Sequence, residues 1–268
     1  MNDYVHGYSS SETERLDDQA QVLRRLLHHD VRFEEGTKVL EAGCGTGAQT
    51  VILAGNNPAA HFVAVDLSEA SLREAAASVS AHGFTNVSLE RQDIFELRHP
   101  DNYFDHIFCC FVLEHLADPN LALREFKRVL KPGGSITVIE GDHGSFFCNP
   151  PSADISAAVD CLVELQRQKG GDALIGRRLF PLLSAAGFAS LQVSPRTIYA
   201  DNSLPEVVNG FSKRTFIAMV AGIKDEAIEQ QLISTQRWQK AMADFNLTVG
   251  SEGTFCYTFF KAVGLNSG

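Results

Sequence analysis

VLEAGCGTG, at positions 39–47, is the stretch from which the fold is predicted. A short apolar run ends in Glu41. Three glycines, Gly43, Gly45 and Gly47, follow at every second position, and the residues after them are compatible with a helix. This order of strand, glycine turn and helix lets a ligand approach bare backbone at a helix N-terminus, because a Cβ would fill that space. The stretch therefore predicts a ligand site at the end of the first strand.

Two other glycine-rich motifs compete for this stretch. Gly43-x-Gly45-x-x-Ala48 fits the dinucleotide-binding pattern. Glu41 argues against a dinucleotide, because a carboxylate would repel a pyrophosphate, whereas it suits a ligand that carries an ammonium and a sulfonium. A P-loop is excluded, since no Lys-Ser/Thr pair follows the glycines.

Apolar strands alternate with helical segments from Gly36 onward, which predicts a parallel sheet covered by helices on both faces. In such sheets ligands bind beyond the C-terminal ends of the strands, where the strand order reverses. The ends of the strands are therefore the places to look for site residues. The predicted strands are Thr37–Ala42, His61–Asp66, Asn86–Arg91, Phe104–Phe111 and Ser135–Glu140.

Two of these strand ends carry acidic residues. Asp66 closes the second strand and can accept hydrogen bonds from both hydroxyls of a ribose, with Leu67 beside the adenine. The alternative for Asp66 is a helix cap, although the serine at position 68 already fills that need. After the third strand, Gln92, Asp93 and Ile94 are cofactor candidates: Asp93 can accept from an adenine amino group while Ile94 packs on the ring. The alternative for Asp93 is capping of a loop.

Five elements recur in order between residues 36 and 140, and together they resemble the class I S-adenosylmethionine (SAM)-dependent methyltransferases. They are the glycine motif, Asp66, Gln92-Asp93, the Leu-Glu-His segment that ends at His115, and the Leu-Lys-Pro-Gly-Gly turn before the fifth strand. The resemblance implies SAM as the cofactor and S-adenosylhomocysteine as the product. It also implies that the backbone at Phe111 and Val112 meets the methionine part of SAM.

The resemblance implies a Rossmann-like, mostly parallel sheet of seven strands with helices on both faces. Residues 1–35 are predicted to form an N-terminal helical lid, in which Tyr4 and Tyr8 contact the cofactor. The alternative is that the two tyrosines only anchor the end of the chain. Residues 36–268 are predicted to form the methyltransferase domain, whose last two strands are Phe188–Tyr199 and Thr254–Val263. A helical insertion over about residues 200–250 is expected to form part of the substrate pocket.

Methyl transfer from a sulfonium is a direct displacement, so the protein aligns the reactants and excludes water. A general base is needed if the acceptor is an alcohol, a phenol or a carbon acid. The candidates, in order, are His143, Asp142 and His115, and in this family the segment from Glu140 to His143 borders the acceptor. For His115 the alternative is a local hydrogen-bonding role.

Composition narrows the choice of partners. The net charge of −10 disfavours nucleic acid, and no apolar run approaches the length of about 20 residues that a membrane span needs. The N-terminus is polar, and none of the six cysteines has Cys-x-x-Cys spacing, so we expect a cytoplasmic protein without a metal. The expected partner is a small-molecule acceptor, and the expected state a monomer or homodimer. Three alternatives remain: an NAD-type oxidoreductase, a protein methyltransferase, and a non-catalytic SAM-binding module.

Overall fold

The computed structural model describes residue 20 and residues 22–268. The chain divides into two compact units, each built from three segments. The first, here called the sheet unit, contains Leu27–Glu140, Gly176–Pro195 and Phe260–Gly268. The second, the aromatic unit, contains Gly141–Ile175, Arg196–Phe259 and the described residues before Leu27. Tyr4 and Tyr8 of the predicted lid lie outside the described residues, and the lid stays a prediction.

The helices and strands follow one another along the chain in a largely alternating order. Residues 22–28 are helical, and short 3₁₀ turns occur at Leu113–His115, His143–Ser145 and Ile175–Arg178. The remaining elements are β1 (Lys38–Ala42), α1 (Ala48–Asn56), β2 (His61–Asp66), α2 (Glu69–Ala81), β3 (Val87–Arg91), β4 (Phe104–Cys110), α3 (Pro119–Val129), β5 (Leu130–Gly141), β6 (Phe147–Asn149), α4 (Ala153–Gln168), α5 (Leu179–Ala185), β7 (Ala189–Ala200), α6 (Pro205–Val207), a π-helical stretch (Val208–Ile217), α7 (Ala218–Gly222), α8 (Lys224–Glu229), α9 (Thr235–Thr248) and β8 (Thr254–Leu265).

The centre of the sheet unit is parallel, as predicted. β1 pairs in parallel with β2 on one side and with β4 on the other, so that Leu40 lies between Val63 and Ile107. β2 pairs with β3, and β4 pairs with β5, again in parallel. The strand order in this unit is therefore β3-β2-β1-β4-β5, and it reverses direction between β1 and β4. That reversal defines the edge at which a ligand is expected.

Within the described residues the sheet contains eight strands, in the order β3-β2-β1-β4-β5-β8-β6 with β7 paired to β8. The predicted count of seven was one short because β6 has only three residues, too few to show an alternating pattern. β5 also begins earlier than predicted, at Leu130. Phe104 pairs with Leu130 but His106 pairs with Ser135, so the Lys-Pro-Gly-Gly segment bulges out of the ladder.

The aromatic unit is built around packed rings. Phe216 contacts Phe146, Phe255 and Tyr257, with ring centroids 5.1 to 5.5 Å apart. Phe211 and Phe216 are buried, and so is Trp238 of α9, which assigns these side chains to the core rather than to an open pocket. The helical insertion predicted over about residues 200–250 consists of several short pieces, one of which, α7, ends at Gly222.

Among the residues described, none of the helices combines the length and the apolar character that a membrane crossing requires.

Candidate functional site

The glycine turn between β1 and α1 has left-handed backbone at all three predicted glycines. The φ angles are +71° at Gly43, +54° at Gly45 and +85° at Gly47. A Cβ on Gly43 would lie 2.6 Å from the Cγ2 atom of Val112, and one on Gly47 would lie 3.0 Å from the Cα atom of Ala75. A Cβ on Gly45 would meet no atom within 4 Å. Packing therefore requires the first and third glycines, whereas the second borders open space.

Asp66 holds this turn in place. Its Oδ2 atom accepts the N–H of Gly45 at 2.9 Å, and its Oδ1 atom accepts the N–H of Ser68 at 2.8 Å. The hydroxyl of Ser68 caps α2 by accepting the N–H of Ser71, as the sequence predicted. A carboxylate has about four lone-pair positions, so two bonds leave acceptor capacity on Asp66 for a ligand hydroxyl.

Glu41 is buried at the end of β1, next to the turn. Burial raises the pKa of Glu41 to about 8, the nearby charge of Asp66 raises it further, and the Thr50 hydroxyl opposes the shift. Within the described part of the chain, the Oε2 atom of Glu41 has no partner in hydrogen-bonding geometry. The same holds for the Oγ1 atom of Thr46 and for Oε1 of Gln49. Buried polar atoms are normally paired, so a cluster of unpaired ones beside a glycine turn indicates a ligand.

The segment after β3 contains the other predicted cofactor residues. Leu67 is 53% exposed, which leaves an apolar side chain uncovered next to Asp66. Asp93 is exposed, and its Oδ1 atom accepts the N–H of Phe95 at 2.9 Å. Ile94 is half-buried. Asp93 therefore caps its loop, and its other oxygen remains a candidate acceptor for an adenine amino group.

The side chain of Gln92 forms hydrogen bonds within its own loop. Its side chain is buried, its Oε1 atom accepts the N–H of Arg98 at 2.8 Å, and its amide nitrogen bonds to Glu90 and His99. These hydrogen bonds occupy the side-chain amide of Gln92 and hold the backbone of residues 92–98 in place. The structure thus gives Gln92 a role in holding the loop next to the predicted adenine residues, and its contact with the cofactor stays a prediction.

The segment after β4 approaches the glycine turn. Phe111 has φ of +59°, a conformation that bulky residues rarely adopt. Its N–H bonds to the carbonyl of Ile139 at 2.9 Å. Val112 then packs against Gly43, so two of the predicted cofactor segments are in contact. The Oε1 atom of Glu140 accepts the N–H groups of Val112 at 3.1 Å and Leu113 at 2.7 Å.

Glu140 was expected to border the acceptor, but the structure buries it completely. Burial raises its pKa well above the usual range, with the charge of Glu114 adding to the shift and the bonds from backbone N–H groups opposing it. The sequence does not show that an acidic residue at the end of one strand will accept backbone N–H groups from the loop after another strand. This role of Glu140 was therefore not predictable.

The three candidate bases have different surroundings. His115 belongs to the sheet unit, and its Nε2 atom lies 3.7 Å from Oε1 of Glu114. Asp142 and His143 belong to the aromatic unit and are buried. The Oδ1 atom of Asp142 accepts the N–H of Gly144, which caps the following turn. The Nδ1 atom of His143 lies 2.7 Å from the hydroxyl oxygen of Tyr257.

Tyr257 was not predicted, because it lies in the last strand, far along the chain from His143, and no spacing links the two. Its hydroxyl also lies against Gly141: a Cβ there would be in collision with the Tyr257 oxygen. Within the described residues, no group of three or more His, Cys, Asp or Glu side chains is placed to hold a metal ion.

Comparison with known proteins gives a consistent result. The model of a family described as "Methyltransferase domain" matches residues 33–168, about half of the chain. A demethylmenaquinone methyltransferase of Staphylococcus aureus is 36% identical over 127 residues, which cover 46% of this chain and 51% of the relative. A 37.1 kDa protein encoded in transposon TN4556 of Streptomyces fradiae is 29% identical over 228 residues, or 84% of this chain and 63% of that protein. The chain thus spans about half to two thirds of the length of these relatives.

The fold is also found among solved structures. The crystal structure of a SAM-dependent methyltransferase from Thermotoga maritima has a TM-score of 0.57 and 20% identity to this chain. The match covers 95% of this chain and 94% of that one. At this level of identity the similarity establishes the fold, which agrees with the predicted Rossmann-like architecture.

Proposed function

We infer the activity from the premise that the chain belongs to the class I SAM-dependent methyltransferases. The proposal is that SAM binds at the glycine turn of the sheet unit, and that its methyl group passes by direct displacement to a small-molecule acceptor, leaving S-adenosylhomocysteine. The cofactor supplies a methyl group already activated by the sulfonium, so the protein has to orient the reactants and exclude water.

One observation carries the cofactor assignment. The space beside Gly45 is open, and the unpaired polar atoms of Glu41, Thr46 and Gln49 belong to the turn, to the strand before it and to the first turn of the helix after it. A ligand that carries an ammonium would give Glu41 the partner it lacks, and would favour the ionised carboxylate that burial otherwise disfavours. The residues present therefore fit the amino acid part of SAM.

The remaining cofactor contacts are proposed on the same basis. The spare lone pairs of Asp66 would accept the ribose hydroxyls, and the exposed side chain of Leu67 would be covered by the adenine. Asp93 would accept from the adenine amino group while Ile94 packs on the ring. The backbone at residues 111–112 would meet the methionine part.

His143 is the proposed general base if the acceptor must lose a proton. When its Nδ1–H donates to the Tyr257 oxygen, the lone pair is on Nε2, which can then take a proton. Asp142 and His115 are weaker candidates, because Asp142 is engaged in capping its turn and His115 lies beside Glu114. His143→Gln should lower kcat with little change in SAM affinity. An unchanged kcat would remove His143 from the mechanism.

A small apolar or aromatic acceptor is proposed. The support is the relative named a demethylmenaquinone methyltransferase, together with the acidic net charge of −10, which is unfavourable for binding nucleic acid. Transfer of a labelled methyl group from SAM to a panel of aromatic metabolites tests it. Transfer to bulk protein instead would indicate a protein methyltransferase. Binding of SAM with no transfer to any acceptor would indicate a binding module.

The first experiment is calorimetric titration with SAM, S-adenosylhomocysteine and NAD, on the wild type and two glycine variants. Gly45→Ala and Gly83→Ala both place a methyl group at a left-handed residue with no atom within 4 Å, so their folding costs should be similar. Only Gly45→Ala fills the proposed site, and we expect it to weaken SAM binding by about tenfold or more. Equal affinities in the two variants would contradict the site. Binding of NAD alone would establish the oxidoreductase alternative.

A further inference from the structure

The loop that follows β4 contains a residue in an unfavourable backbone conformation, which contacts with neighbouring groups must stabilise. Phe111 is a bulky residue with φ of +59°, and such a conformation persists only where the surroundings fix it. One fixing contact is the bond from its N–H to the carbonyl of Ile139. The next two N–H groups, those of Val112 and Leu113, both point to a single carboxyl oxygen of Glu140.

Glu140 has no access to solvent in the structure, and its second oxygen has no hydrogen-bond partner within the described residues. A buried carboxyl group is costly, and a hydrophobic residue would cover the same position without that cost. What Glu140 provides is an acceptor for two adjacent backbone amides that would otherwise be unpaired in the interior.

The loop transmits this constraint to the glycine turn. The Val112 side chain packs so closely on Gly43 that a Cβ there would lie 2.6 Å from Val112 Cγ2. Movement of Val112 would therefore disturb Gly43, which belongs to the same turn as Gly45 and the open space beside it. All of these residues belong to the sheet unit.

We propose that Glu140 is a positioning residue of the cofactor site, which fixes residues 111–113 so that Val112 stays on Gly43 and the loop backbone keeps its place beside the glycine turn. This inference rests on the proposed function, since it takes that turn as the cofactor site. It differs from the role expected for Glu140 beside the acceptor, because the carboxyl group acts through backbone amides and touches no substrate.

Two variants of Glu140 separate the acceptor function from the charge. Glu140→Gln keeps one carbonyl oxygen for the two amides and cannot ionise. Glu140→Leu removes the acceptor. Glu125→Leu is the control: Oε1 of Glu125 also accepts a backbone N–H, that of Leu97 at 2.7 Å, and the substitution removes the ion pair of Glu125 with Arg128 as well.

The measurement is the Kd for S-adenosylhomocysteine, by calorimetry well below the melting temperature of each variant, together with hydrogen exchange at the amides of Val112 and Leu113. We expect Glu140→Leu to raise Kd about tenfold or more and to speed exchange at both amides, because both lose their acceptor. Glu140→Gln should stay within about threefold of the wild type, and Glu125→Leu should lose stability without a change in Kd.

A wild-type Kd in folded Glu140→Leu would overturn the proposal, and so would an equal rise in Kd in the Glu125→Leu control. If Glu140→Leu does not fold, Glu140→Asp replaces it, since the shorter side chain cannot reach both amides and the same rise in Kd is expected. Absence of binding by the wild type would instead refute the proposed function and this inference with it.

Discussion

The buried carboxyl group of Glu41 makes the stability of this protein depend on pH in a direction opposite to that of ordinary paired carboxylates. In the unfolded chain Glu41 ionises with its usual pKa of 4.5, whereas burial raises the pKa to about 8 in the folded protein. The folded state therefore holds a proton that the unfolded state loses. Stability from this group is complete below about pH 4.5 and falls as the pH rises to about 8.

The size of the effect follows from the same pKa values. Each pH unit between them costs about 1.4 kcal/mol of stability, so the wild type loses about 3 kcal/mol through Glu41 between pH 5 and pH 7. Glu41→Gln cannot ionise and lacks this loss. Whatever the variant costs at pH 5, its unfolding free energy relative to the wild type should rise by about 3 kcal/mol by pH 7.

Urea unfolding of both proteins at pH 5, 6 and 7 measures this difference, because the contributions of other titrating groups cancel. Glu125→Gln is a control of opposite sign. Hydrogen bonds from Arg128 lower the pKa of Glu125, so its contribution is present above about pH 4.5 and is lost as the pH falls. Parallel curves for the wild type and Glu41→Gln between pH 5 and 7 would refute the argument.

Two further predictions concern the turn itself. Asp66→Ala should weaken SAM binding by about 1–3 kcal/mol in calorimetry, since charged hydrogen bonds are lost. Ser68→Ala, which removes only the cap of α2, should lower the stability and leave the affinity for SAM unchanged. Equal affinities of the two variants for SAM would remove Asp66 from the ribose site. Gly47→Ala should lose about 1–3 kcal/mol more stability in urea than Gly83→Ala, because its new methyl group would press on the backbone of Ala75, whereas that at Gly83 meets open space. Equal losses would show that the turn relaxes without strain.

The central sheet could be predicted closely because its strands are buried on both faces. β2 has the predicted bounds, His61–Asp66, and β4 ends at Cys110, one residue before the predicted Phe111. Continuous apolar runs carry that information locally. The three-residue β6 carries none, and the helical pieces between β7 and β8 depend on the aromatic packing of their own unit, so periodicity did not fix their bounds.

The candidate site was predictable as a set of positions but not as a set of contacts. Parallel strands bring their carboxyl ends to one edge, and this places Glu41, Asp66 and the loop after β4 at that edge. The sequence does not show how each polar group is used, because that depends on which backbone amides the loops leave unpaired. Tyr257 illustrates the same limit, since its contact with His143 follows only from the folded chain.

Several of the polar residues at this edge hold backbone before they can hold a ligand. Asp66 binds the N–H of Gly45, Gln92 binds that of Arg98, and Glu140 binds those of Val112 and Leu113. Ligand contacts are then left to spare lone pairs, such as those of Asp66, and to the unpaired oxygen of Glu41. Substitution of a residue that both holds backbone and binds the ligand changes stability and affinity together. A measurement of affinity alone therefore does not distinguish the two roles. Glu41 is the exception in this set: relative to the wild type, Glu41→Gln should gain stability as the pH rises from about 5 to about 7 while it weakens the binding of a cationic ligand, and that opposite pair of effects distinguishes a ligand-binding carboxyl group from one that supports the fold.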